Sequence, residues 1–211
     1  MLKYFISIFL IINSSNILSQ DNNIMDTIPV QTTYGIKIGI DISKQIRMLT
    51  EPNYKGLVIS GDYRILDRLF IAAEFGSEEK KVTNEVLDFN TKGNFLKIGA
   101  NYNVYNNRKG MDNEIYVGFR YSLGNFEHKL NSYTIYDLDH YWNQNTVNDI
   151  SDFKNLTASW FELILGFNAE VFNNTFMGIS LRLNRLLNQE RPENFSNLYI
   201  PGFNKVLEEN N

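Results

Sequence analysis

Two histidines, His128 and His140, share one long polar stretch with Ser132, Asp137, Asp139 and Ser151. Histidine beside aspartate is material for a metal site. Histidine beside serine is material for a hydrolase or acyltransferase, because imidazole ligates cations and takes hydroxyl protons near neutral pH. The spacing supports neither. There is no His-Glu-x-x-His, no Gly-x-Ser-x-Gly and no glycine-rich phosphate loop. There is also no cysteine, which excludes disulfides, thiolate zinc sites and cysteine nucleophiles. The expectation is a non-enzymatic protein without catalytic residues, metal or cofactor. Tyr133, Tyr136, Tyr141 and Trp142 in the same stretch suit contact with an extracellular protein or glycan. Folding the stretch onto its own support would use them equally well.

A second set of charges recurs at a spacing of two. Residues 34–42 read Tyr-Gly-Ile-Lys-Ile-Gly-Ile-Asp-Ile, apolar at every second position with glycine or a charge between. Only a strand converts a period of two into two faces. The pattern returns over residues 57–65, 69–76, 95–105, 114–124, 160–171 and 175–187, which makes seven expected strands. Their polar faces carry Lys37, Asp41, Asp62, Arg64, Glu74, Lys97, Glu114, Arg120, Glu162 and Arg182, interspersed with glycine. A water-covered face would favour Lys, Thr and Glu, whereas glycine weakens an exposed strand. Mixed charge with glycine is expected inside a narrow barrel, where an unpaired ion is costly and both signs are needed. The expectation is a packed polar core inside, with the apolar face toward lipid. A lipocalin-like secreted carrier and a narrow passive pore are the alternatives.

The connecting stretches alternate between long and short. Residues 43–56, 77–94, 125–159 and 188–211 are expected as long surface loops, and 66–68 and 172–174 as short turns. Short turns on one side and long loops on the other are a mark of bacterial barrels. Aromatics near strand ends form two expected girdles: Tyr34, Tyr63, Phe70, Tyr105, Tyr116, Phe172 and Phe176 toward the turns, and Phe75, Phe95, Tyr121, Trp160 and Phe161 toward the loops. The N-terminus reads as a Sec signal peptide over residues 1–19, with Lys3 before a short apolar run, then a polar leader over 20–33 and a barrel domain over 34–211. Net charge is −4, so no basic field invites nucleic acid. The expected setting is the bacterial outer membrane, with the bilayer as partner and a monomeric chain. An odd strand count leaves an edge open. Either an eighth strand lies near residues 131–136, or a closing strand is missing beyond residue 211, the reading preferred here.

Residues 34–42, 93–105, 130–136 (Leu-Asn-Ser-Tyr-Thr-Ile-Tyr), 156–160, 170–174, 177–187 and 197–204 (Asn-Leu-Tyr-Ile-Pro-Gly-Phe-Asn) carry a resemblance. The chain resembles an uncharacterised family of Gram-negative outer-membrane β-barrel proteins. The resemblance implies an antiparallel up-and-down transmembrane barrel of about eight strands, and it brings no catalytic or binding residues with it.

Overall fold

A computed structural model describes residues 35–84, 86–107, 112–135, 145–147, 151–192 and 196–206. The expected signal peptide, the leader and Tyr34 lie outside them. So do Tyr136, Asp137, Asp139, His140, Tyr141 and Trp142.

The fold is all-β. Seven strands pair antiparallel in chain order: β1 (Ile36–Ile40), β2 (Tyr54–Arg64), β3 (Leu69–Thr83), β4 (Leu87–Asn103), β5 (Glu114–Ile135), then β7 (Ser151–Phe172) and β8 (Thr175–Gln189). A short β6 (Asn145–Val147) pairs with the end of β5. A helix, α1 (Ile42–Thr50), follows β1, and a separate hairpin is formed by β9 (Tyr199–Ile200) and β10 (Asn204–Lys205). Among the described residues β1 and β8 are not paired with each other. Each neighbour reverses direction, so these two edge strands run the same way. They are close, since the Lys37 ammonium lies 4.1 Å from the centroid of the Phe176 ring.

Three expectations are corrected. Residues 77–94 and 125–159 are largely strand, with β3 reaching Thr83 and β5 reaching Ile135. Residues 131–135 are therefore the end of β5 and supply no eighth strand. The alternation does continue past Gly76 and Gly124, but its polarity inverts. At and beyond that level apolar side chains enter the inward positions (Val58, Phe95, Phe126, Leu156) beside the polar Glu78, Thr91 and His128, and the outward ones are polar (Ser77, Lys92, Asn94, Asn125). A reversal of polarity at constant parity resembles a strand end when only the sequence is read. The third correction is α1, inside a stretch expected to be a loop. Asp41 caps it, its side chain accepting from the Ser43 N–H at 3.0 Å.

Nearer the turns, the outward face is apolar. The unbroken outward apolar run ends at Leu57 on β2, Phe75 on β3, Leu96 on β4, Leu123 on β5, Phe161 on β7 and Leu183 on β8, where Arg185 interrupts it before the exposed Leu187. Phe75, Leu96 and Leu123 are register partners, whereas Leu57 lies one outward position beyond their row, Phe161 one short of it and Leu183 two short. The lower edge also falls, from Tyr63 on β2 to Val171 on β7. The result is a slanted apolar belt, four to six outward residues tall on β2 to β8.

Some expected girdle residues are not in this belt. Phe70, Phe95 and Trp160 are buried on the inner face, because their positions have inward parity. Tyr116 and Phe176 share that parity, with Tyr116 lying over Gly166 and Phe176 under the Lys37 ammonium. Tyr63, Phe75, Tyr105, Tyr121, Phe161 and Phe172 point outward.

Candidate functional site

The inner face behind the belt is a network of ions. Glu74 and Lys97 are register neighbours on β3 and β4, as are Arg120 and Glu162 on β5 and β7. Lys97 Nζ meets Glu162 Oε1 at 2.6 Å, although two strand spacings separate their backbones. Arg182 on β8 bridges Glu74 at 2.7 Å and Glu162 at 3.2 Å, and Arg120 Nε lies 3.4 Å from Glu74. Contact between β3 and β8, four strands apart in sheet order, requires the sheet to curl strongly. Trp160 Nε1 donates to Glu162 at 2.7 Å, and Arg120 donates to the carbonyls of Ala100 and Phe119. Asp62 accepts from Asn101 at 3.3 Å beside this group.

A second cluster lies toward the turns. Lys37 on β1 meets Glu114 on β5 at 2.7 Å and Asp112 at 3.0 Å, and Arg64 pairs with Asp112. Asn168 donates to the other oxygen of Glu114 at 2.9 Å. The central group holds Glu74, Glu162 and Asp62 against Lys97, Arg120 and Arg182, and the second holds Asp112 and Glu114 against Lys37 and Arg64. Each is balanced in sign, which is what charges removed from water require. Asp41 departs from the expected set, since its carboxylate caps α1.

Glycine makes room for this packing. A Cβ on Gly166 would come within 2.2 Å of the Tyr116 ring, and one on Gly76 equally close to Phe95.

A third cluster was not legible in the sequence. The hairpin of β9 and β10 folds into the inner side of the sheet, with Tyr199 and Ile200 buried. Glu78 accepts from the Tyr199 hydroxyl at 2.7 Å and from the Gly202 N–H at 3.1 Å, and pairs with Lys44 of α1 at 2.8 Å. Lys97 donates to the Gly202 carbonyl at 3.2 Å, which ties the hairpin to the central ions. A polar cavity of about 230 Å³ remains beneath the hairpin, bordered by Lys44, Glu74, Glu78, Lys97, Arg182 and Tyr199. Arg47 stacks on Tyr54 at 4.0 Å and donates to the Tyr199 hydroxyl at 3.3 Å. The Lys80 ammonium, and then Arg47, hold the Glu51 carboxyl below its ordinary range. The one available signal was parity, because Glu78 continues the inward series of Glu74 and Gly76.

His128, expected in a surface loop, lies on β5 and is 1% exposed. Its Nε2 is 3.0 Å from Asn197 Oδ1, and Phe89 and Phe126 pack around the ring. Burial pushes the imidazole down to about 4, against the smaller upward pull of the Asn197 hydrogen bond. Ser132 sits opposite Asp88 in the sheet, and Ser151 begins β7 opposite Leu130. Among the described residues no group of three or more His, Cys, Asp or Glu is arranged to hold a metal. Tyr133 is exposed on β5.

The chemistry of the site is that of a salt-bridged core. No curated protein matches the chain, and no solved structure matches it. Residues 1–211 match the family described as Domain of unknown function (DUF6048), and the chain belongs to that family.

Proposed function

We propose that this chain is an outer-membrane β-barrel protein, exported by the signal read over residues 1–19. Its role is non-enzymatic: structural or adhesive, or that of a small accessory component of the envelope. The observation that supports this is the slanted belt backed by an ionic interior. About ten residues at about 3.3 Å each, tilted by about 40°, rise about 25 Å, the height of the apolar band on such barrels. The same tilt carries a horizontal plane past about 1.2 residues per strand, because strands lie about 4.8 Å apart. From β2 to β7 there are four strand intervals, and the upper edge of the belt slips two outward positions, or four residues. A lipid boundary crossing tilted strands accounts for that slip.

Above the belt the strands have the polarity of a water-soluble sandwich, which fits extensions standing clear of the bilayer. These extensions, with Tyr133 exposed on them, are the surface offered to extracellular protein or glycan. The sheet curls until its parallel edges, β1 and β8, come close, as Lys37 over Phe176 shows. The interior is filled by ion pairs and the β9–β10 hairpin, which favours a packed core over a pore.

The test is mobility on a detergent gel with and without boiling, with envelope fractionation. A heat-dependent shift and recovery with outer membranes are the expected results. Recovery in the soluble periplasm without detergent would sink the proposal.

A further inference from the structure

We propose that α1 is an interfacial anchor whose outward stripe, Ile42, Ile46 and Leu49, lies at the boundary between headgroups and acyl chains. This deepens the membrane reading above and rests on it. The three residues are 62%, 58% and 86% exposed. At about 100° per residue they fall within about 60° of one another, a narrow apolar stripe.

The helix cannot roll to hide that stripe, because its other side is tied down. Lys44 pairs with Glu78 at 2.8 Å, and Arg47 donates to Glu51 at 3.1 Å and to Tyr199. Its position matches the edge of the belt. Ile40, the last residue of β1, is in register with Ile59, and Ile59 with Phe75, the last apolar outward residue of β3. The stripe begins two residues later, so it continues the apolar surface at the level where the belt ends on its neighbours. An amphipathic helix at that height buries its apolar face in the interface. A second copy of the chain is a poorer occupant. Three aliphatic side chains fall far short of the roughly 800 Å² per partner of a stable complex. Lys44 and Arg47 are engaged inward, so the contact is apolar and independent of headgroup charge.

The chain has no cysteine, so nitroxide labels can be placed singly on the full chain by Ile46→Cys, Ile98→Cys and Lys92→Cys. Ile98 is an outward belt residue and Lys92 an outward polar one. Each variant is reconstituted in phosphatidylcholine vesicles, with and without phosphatidylglycerol. Collision with oxygen is then compared with collision with a water-soluble nickel chelate. The expected oxygen-to-nickel ratio at Ile46 is several-fold above that at Lys92 and below that at Ile98, and equal in both lipids. A ratio at Ile46 equal to that at Lys92, with Ile98 reading hydrocarbon, overturns the anchor and leaves the barrel standing. An aqueous reading at Ile98 overturns both. Spin–spin broadening at Ile46 would assign the stripe to a second copy.

Discussion

At the scale of single residues, the interior depends on matched ions. Glu162 is fully buried and serves Lys97, Arg182 and Trp160 together. Glu162→Ala leaves the buried Lys97 without its ion partner and Arg182 with Glu74 alone, and is expected to cost about 3–5 kcal/mol, read from the unfolding midpoint in detergent. Glu162→Gln, which keeps an acceptor for Trp160, is expected to cost less; equal losses would mean that the acceptor contributes nothing, and an unchanged midpoint in Glu162→Gln that the charge is irrelevant. His128 supplies a pH effect of determined sign. The unfolded chain takes up a proton as pH falls below 6.5, while the folded imidazole resists until about 4. Stability is therefore complete above about 6.5 and declines between 6.5 and 4. Amide protection factors around Tyr199 and Ile200 (exchange relative to the intrinsic rate at each pH) should fall when pH drops from 7 to 4.5, and His128→Gln should flatten that response. The inward parity of Lys37, Glu74, Lys97 and Arg182 was readable, because period two assigns a face. That Lys37 would meet Glu114, and Arg182 meet Glu74, was not. Spacing along a strand carries no information about which strand lies across the interior.

At the scale of elements, α1 and the β9–β10 hairpin are the parts the period-two reading passed over. Asp41 was assigned to a strand face by parity, yet its carboxylate does more as a helix cap. Asp41→Ala is expected to destabilise by about 1 kcal/mol, with increased exchange at the Ser43 amide as the local signature. In the hairpin, Gly202 has φ +80°, a left-handed conformation, and a Cβ there would come within 2.5 Å of the Phe95 ring. Gly202→Ala is thus expected to loosen the hairpin from Glu78 and Lys97, seen as proteolytic access after residue 192. Unchanged protease resistance would contradict the docking described. The far halves of β3, β4, β5 and β7 were read as loops for a different reason. Their alternation persisted while its polarity reversed, and a polarity reversal has no unique meaning along one strand.

At the scale of the whole molecule, the belt makes a depth-dependent prediction. Ile98→Arg, in mid-belt, is expected to cost about 2–4 kcal/mol of folding free energy into vesicles. Asn94→Arg, two outward positions (four residues) along the same strand, is expected to cost about 0–1 kcal/mol. Similar costs at both sites would mean that no hydrocarbon edge lies between them. The sequence by itself determined the all-β class, the parity of most strand residues and the mixed sign of one face, because period two is a local property of the strand. Tertiary structure alone decided the slant of the belt, the pairing of ions across the interior, the inversion of polarity toward the far end and the placement of the hairpin. These depend on register and curl, which arise between strands far apart in the chain.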